Sequence, residues 1–136
     1  MTMPSHFEQL LQAAAVQPEP QQLLFVFASA DLPDDATAEQ RQRFEEGRGG
    51  SLTPLMCVDK SLAELSSFEA LVAESRKAGP PWQVMFIAGL GGSRGQPPGE
   101  AQVQQALQTM VERVRGGLVD CLMALDNNGE PLNFLV

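Results

Sequence analysis

Three aspartates and one glycine-rich segment carry most of the chemistry this chain can offer. Asp31, Asp59 and Asp126 each follow an apolar run of strand length. A further run, residues 82–88, empties into Gly89-Leu90-Gly91-Gly92-Ser93-Arg94-Gly95, and a helical pattern follows it. Strand, glycine-rich turn and helix in that order bring backbone N–H groups to an anionic ligand in many α/β proteins. In a parallel sheet the carboxyl ends of the strands share one edge, where open α/β sheets bind ligands. Asp31 and Asp59 would then stand beside Gly89, Gly91, Gly92 and Arg94. Two carboxylates suit a Mg²⁺, and an arginine suits a phosphate or carboxylate. The segment lacks the Lys-Ser/Thr ending of a phosphate loop, and Arg94 stands where the third glycine of a dinucleotide fingerprint belongs. The same residues also have a plain structural reading. Glycine, serine and proline clusters form surface turns, and aspartates at strand ends initiate turns and cap helices.

Other chemistries are poorly served. His6 is the single histidine, tyrosine is absent, and Lys60 and Lys77 are the two lysines. A Ser-His-Asp triad or a clustered metal site needs more. Cys57 and Cys121 lie in apolar runs and outside any Cys-x-x-Cys pair, so both are expected as buried, reduced thiols. No catalytic residue, metal ligand or cofactor is assigned. The formal net charge of −8 disfavours nucleic acid and anionic membrane surfaces as partners, and Arg41, Arg43 and Arg48 are interleaved with Glu45 and Glu46. No apolar run reaches bilayer length, and the first residues show no secretion signal, so a cytoplasmic location is expected.

The elements that must position these residues follow from periodicity. At 136 residues the chain is expected to form one domain. Ser5 and Glu8 make a capping box before Phe7, Leu10, Leu11 and Ala14, which recur at helical spacing. Residues 22–31, 52–59 and 83–88 read as strands, with Pro54 near a strand start or on a sheet edge. A short helix is expected at 37–47, another from Ser66 to about 78, and the longest at 100–115. Residues 118–125 read as strand, 126–130 as a turn, and 132–136 as a short antiparallel return. The order αβαβαβαββ implies an α/β domain with a mixed, mainly parallel sheet of about five strands and a C-terminal hairpin. An α+β arrangement is the alternative, because the long polar link after the first strand does not force a parallel neighbour.

Residues 18–28, 32–37 and 54–60 resemble a family of small proteobacterial proteins that has no established activity. Members are sometimes labelled ribonucleotide reductase subunit alpha. That subunit needs a set of active-site cysteines for thiyl-radical chemistry, which Cys57 and Cys121 do not supply. The resemblance carries no catalytic motif and assigns no site residue; it implies a cytosolic bacterial protein. The function this pattern favours is a non-enzymatic binding or regulatory module acting through its sheet edge or helix faces. Residues 132–136, at the sheet edge, would pair with a protein partner or a second copy. The alternative is an enzyme or sensor that binds a phosphorylated small molecule or nucleotide, with Mg²⁺, at Asp31, Asp59 and the glycine segment.

Overall fold

Leu23, Leu24, Phe25, Val26, Phe27 and Ala28 are consecutive, apolar and all buried. A strand buried on both faces needs helices on both sides of its sheet. In the computed structural model, which describes residues 5–31, 38, 39, 42, 51–119 and 122–132, that is the arrangement. Strand β1 (Gln21–Asp31) lies between β2 (Ser51–Ser61) and β3 (Val84–Gly91), and β4 (Met123–Asp126) lies beyond β3. Among the described residues the helices α1 (His6–Ala15), α2 (Phe68–Ala78) and α3 (Glu100–Arg115) cover the sheet.

Alternation along the strands sorts their side chains into two cores. Leu24, Val26, Ala28, Val84, Phe86 and Ala124 meet Val103, Leu107, Met110 and Val114 of α3. On the opposite face Phe25, Phe27, Met85, Ile87 and Leu125 meet Phe7 of α1, Leu71 and Val72 of α2, and Trp82. Local signals fix the helix starts. Ser5 Oγ accepts from the Glu8 N–H at 3.1 Å, and Ser67 Oγ accepts from the Ala70 N–H at 3.0 Å.

Every strand pair among the described residues is antiparallel, which overturns the expected mainly parallel, five-stranded sheet. The physical reason lies in the connections. The polar link between β1 and β2 reverses the chain, so β2 runs back along β1. Helix α2 does join two strands of like direction, β2 and β3, but β1 is inserted between them. A helix between strands makes them parallel neighbours only when the chain also returns to the adjacent position. Four strands are seen among the described residues. The C-terminal hairpin begins as expected: the Leu132 N–H donates to the Ala124 carbonyl at 2.9 Å, and Asp126 Oδ1 accepts from the Asn128 and Glu130 N–H groups. Residues 133–136 of the expected last strand lie outside the described residues. So does most of the expected helix at 37–47, of which Ala38, Glu39 and Gln42 are described and helical.

One buried polar contact joins α2 to the sheet. Trp82 Nε1 donates to Ser75 Oγ at 2.8 Å, and that hydroxyl donates to the Val72 carbonyl at 2.6 Å. The indole packs on Phe27 with ring centroids 5.0 Å apart. A Ser75→Ala change leaves the buried indole N–H without its hydroxyl partner. The expected loss is about 1–3 kcal/mol of folding stability. It would be read as a lower urea midpoint at unchanged slope.

Candidate functional site

The sheet register decides which expected ligand residues can meet. Asp31 pairs with Ser51 at one end of β1, whereas Asp59 pairs with Leu24 near the other. The strand between them spans about 23 Å at roughly 3.3 Å per residue. Gly89 and Gly91 pair with Leu23 and Gln21, at the Asp59 end. Asp126 pairs with Val84, which itself lies opposite Ala28, so it sits toward the Asp31 end. The structure therefore brings Asp59 and the glycine segment to one edge and leaves Asp31 on the opposite rim.

The glycine segment is a tight turn strapped to its own chain. Gly89 and Gly91 belong to β3, and a Cβ at either would crowd the Gln21 side chain, at 3.3 and 3.0 Å. Ser93 and Gln96 exchange two backbone hydrogen bonds at 3.0 and 2.9 Å. Between them Arg94 and Gly95 have φ of 53° and 76°, as a type I′ turn requires. A side chain at Gly92 would run into the Gln96 carbonyl oxygen. The Gly92 N–H donates to the Pro20 carbonyl at 2.9 Å, and the Gly95 N–H donates to Glu19 Oε2 at 2.8 Å. An internal carboxylate thus occupies a donor that an anion would use. Asp59 is also engaged, with Oδ2 accepting from Gln22 Nε2 at 2.8 Å. Among the described residues no group of three or more His, Cys, Asp or Glu could hold a metal ion.

Strand β2 offers a different surface. It is the outermost strand on its side of the described sheet, and Pro54 lies within it, as its missing N–H favours. Pairing with β1 shifts register between Phe27 and Ala28, opposite Leu55. A groove of about 200 Å³ runs between β2 and α2. Phe27, Met56, Val58, Leu71 and Ala78 line it with apolar surface, and Glu74 and Cys57 also border it, the Cys57 side chain leaving the same outer edge of β2 toward the α3 face with Val26. Cys57 is a free, exposed thiol, contrary to its expected burial. It pairs with Val26 on one side but has no described strand on the other. Cys121 lies outside the described residues.

Two ties hold α2 beside β2. Lys60 Nζ reaches Glu74 Oε1 at 2.8 Å. At the C-terminal cap of the helix, Gly79 comes so close to the Met56 sulfur that a Cβ there would stand 2.8 Å from it. Just past Lys60, a 3-10 turn (Leu62–Glu64) is capped by Ser61, whose N–H donates to Glu64 Oε1 at 2.9 Å. That backbone bond, with help from the Ser61 hydroxyl, holds the Glu64 carboxyl below its usual 4.5. The hydrogen bond to Glu74 raises Lys60 above 10.5, and the fields of Glu74, Glu64 and Asp59 reinforce it against partial desolvation.

A roomier cavity, about 360 Å³, lies where the N-termini of α1 and α2 meet. Both cap hydroxyls there, Ser5 and Ser67, already accept helix N–H groups. Glu8, Glu69 and Glu130 border the space and oppose any anion drawn to the positive helix ends. The groove beside β2 was the feature least visible in the sequence. Its signals are Pro54 and Lys60 in an otherwise apolar run, both devices of an edge strand.

The corner beside the groove gives a pH signature. Folding lowers the Glu64 pKa, so its contribution is complete above 4.5 and is lost as pH falls through the lower folded value. Folding raises the Lys60 pKa, so its contribution is complete below 10.5 and is lost as pH rises through the higher folded value. The Glu64 carboxyl carbon, followed by NMR, should titrate with a midpoint below 4.5. A midpoint at or above that value would show that the cap on the 3-10 turn is not formed.

Among the described residues no helix is long and apolar enough to cross a membrane. Comparison with protein-family models, curated proteins and solved structures finds no match to this chain.

Proposed function

We propose that this protein is a non-enzymatic, cytoplasmic binding module that takes up a short extended segment of another protein along the outer edge of β2. The supporting observation is an eleven-residue strand that is paired on one side only among the described strands and runs beside an apolar groove. An incoming strand would satisfy the outward N–H and C=O groups and drop alternate side chains into the groove.

Features of β2 favour a short segment. Pro54 and the register shift at Leu55 interrupt regular pairing in the first half of the strand. From Met56 to Lys60 the register with β1 is unbroken, and this half adjoins the groove. A second copy of the chain would bring a further net charge of −8 to the same edge, and that repulsion favours a different protein as partner. The exposed free thiol of Cys57 suits a reducing compartment. The reading as an anion or Mg²⁺ site gains no support from the register, which keeps Asp31 away from Asp59, or from the Glu19 carboxylate on the Gly95 N–H.

Cys57 and Trp82 supply the test. Peptides selected on the protein from a random library should shift Trp82 fluorescence, because the indole packs on Phe27 at the groove. Attaching a bulky maleimide to Cys57, with mass spectrometry confirming the site, should weaken those peptides at least about tenfold, or about 1.4 kcal/mol. Peptides that bind the blocked protein unchanged, or a selection that yields none, would overturn the proposal.

A further inference from the structure

We infer that the segment taken up by β2 is cationic as well as apolar, with a lysine or arginine at the end that meets the Lys60–Glu64 corner. This rests on the edge-binding reading above and names the chemistry of its partner.

The charge around the groove is uneven. Lys60 is the cation of the corner, with Asp59 its neighbour in sequence, Glu64 on the turn that follows, and Glu74 across the groove on α2. The Asp59 side chain leaves β2 on the opposite face, beside Leu24 and Gln22, so on the groove side two carboxylates, Glu64 and Glu74, stand against one ammonium. Exposure sharpens the imbalance. The Lys60 side chain is 16% exposed, whereas that of Glu74 is 55% exposed. The cation is the covered member of the pair and the carboxylate is the member that faces solvent. Asp59 and Glu64 are partly satisfied by Gln22 Nε2 and the Ser61 N–H, both neutral donors that leave their charge in place. The surplus is confined to one end of the groove, since Arg76 and Lys77 stand in the last turn of α2, toward Gly79.

An extended segment laid on residues 56–60 has one end at this corner. A basic side chain there meets the free lone pairs of Glu74 without displacing Lys60. An acidic side chain meets the like charges of Glu64 and Glu74 and a chain of net charge −8. Fields of this sign also steer cationic segments toward the edge before they dock.

The experiment uses the peptides selected on the intact protein. Their consensus should place lysine or arginine at one end of an alternating apolar core. Replacing each such residue by glutamine should weaken binding about two- to fivefold, the range of exposed charge pairs. A Glu74→Gln change keeps an acceptor for Lys60 Nζ. It should weaken the parent peptide by a similar factor and leave the glutamine peptide unaffected. Peptides that are blocked by the Cys57 adduct yet show no excess of basic residues would overturn this inference and leave the edge reading standing. So would equal losses for both peptides on Glu74→Gln. Peptides indifferent to the Cys57 adduct would overturn both.

Discussion

Burial of β1 on both faces is the constraint from which the rest of the molecule follows. Six successive apolar side chains cannot be covered by one layer of helix, because alternate residues point to opposite faces. Helix α3 covers one set and α1, α2 and Trp82 cover the other. A strand so enclosed takes neighbours on both edges, and β2 and β3 supply them. Beyond β3 the sheet continues into β4. Beyond β2 no described strand follows, so among the described strands the outer position on this side falls on the strand with the more mixed sequence.

That placement explains the composition of β2. It carries apolar residues where it meets the α2 layer, Met56 and Val58, and it carries Pro54 and Lys60, which a central strand disfavours. Pro54 and the bulge blunt one half of the edge against uncontrolled pairing. In the other half the Lys60–Glu74 bridge and the Gly79–Met56 approach hold α2 at a distance that leaves a groove. The edge is thus restricted rather than abolished, which is the state a selective binding strand needs.

Much of this was legible in the sequence, and the failures have specific causes. The strands around 23–28 and 84–88, the helices starting near Ser5 and at Glu100, and the edge placement of Pro54 follow from periodicity, capping and the missing proline N–H. Strand direction did not follow. Periodicity is a local property, whereas direction depends on where a connection delivers the chain, and the 32–50 link has no pattern that fixes it. The site inference failed with it. Asp31 and Asp59 share an edge only in a parallel sheet, and antiparallel pairing sends them to opposite rims. Gly91 and Gly92 resembled an anion loop because close backbone approach demands glycine whatever approaches. Here the approaching groups are the Gln21 side chain and the Gln96 carbonyl. Cys57 was misread as buried because an apolar run does not reveal whether it has one neighbour or two.

The account depends on β2 having one free edge in the unbound protein, and amide hydrogen exchange reads that directly. In an antiparallel edge strand alternate N–H groups point toward the neighbour and away from it. The residues of β1 should exchange slowly throughout residues 23–28, while those of β2 between Met56 and Lys60 should alternate between protected and fast. Uniform protection along β2 would mean that its outer edge is already paired, and would contradict the assignment of that edge as the binding surface.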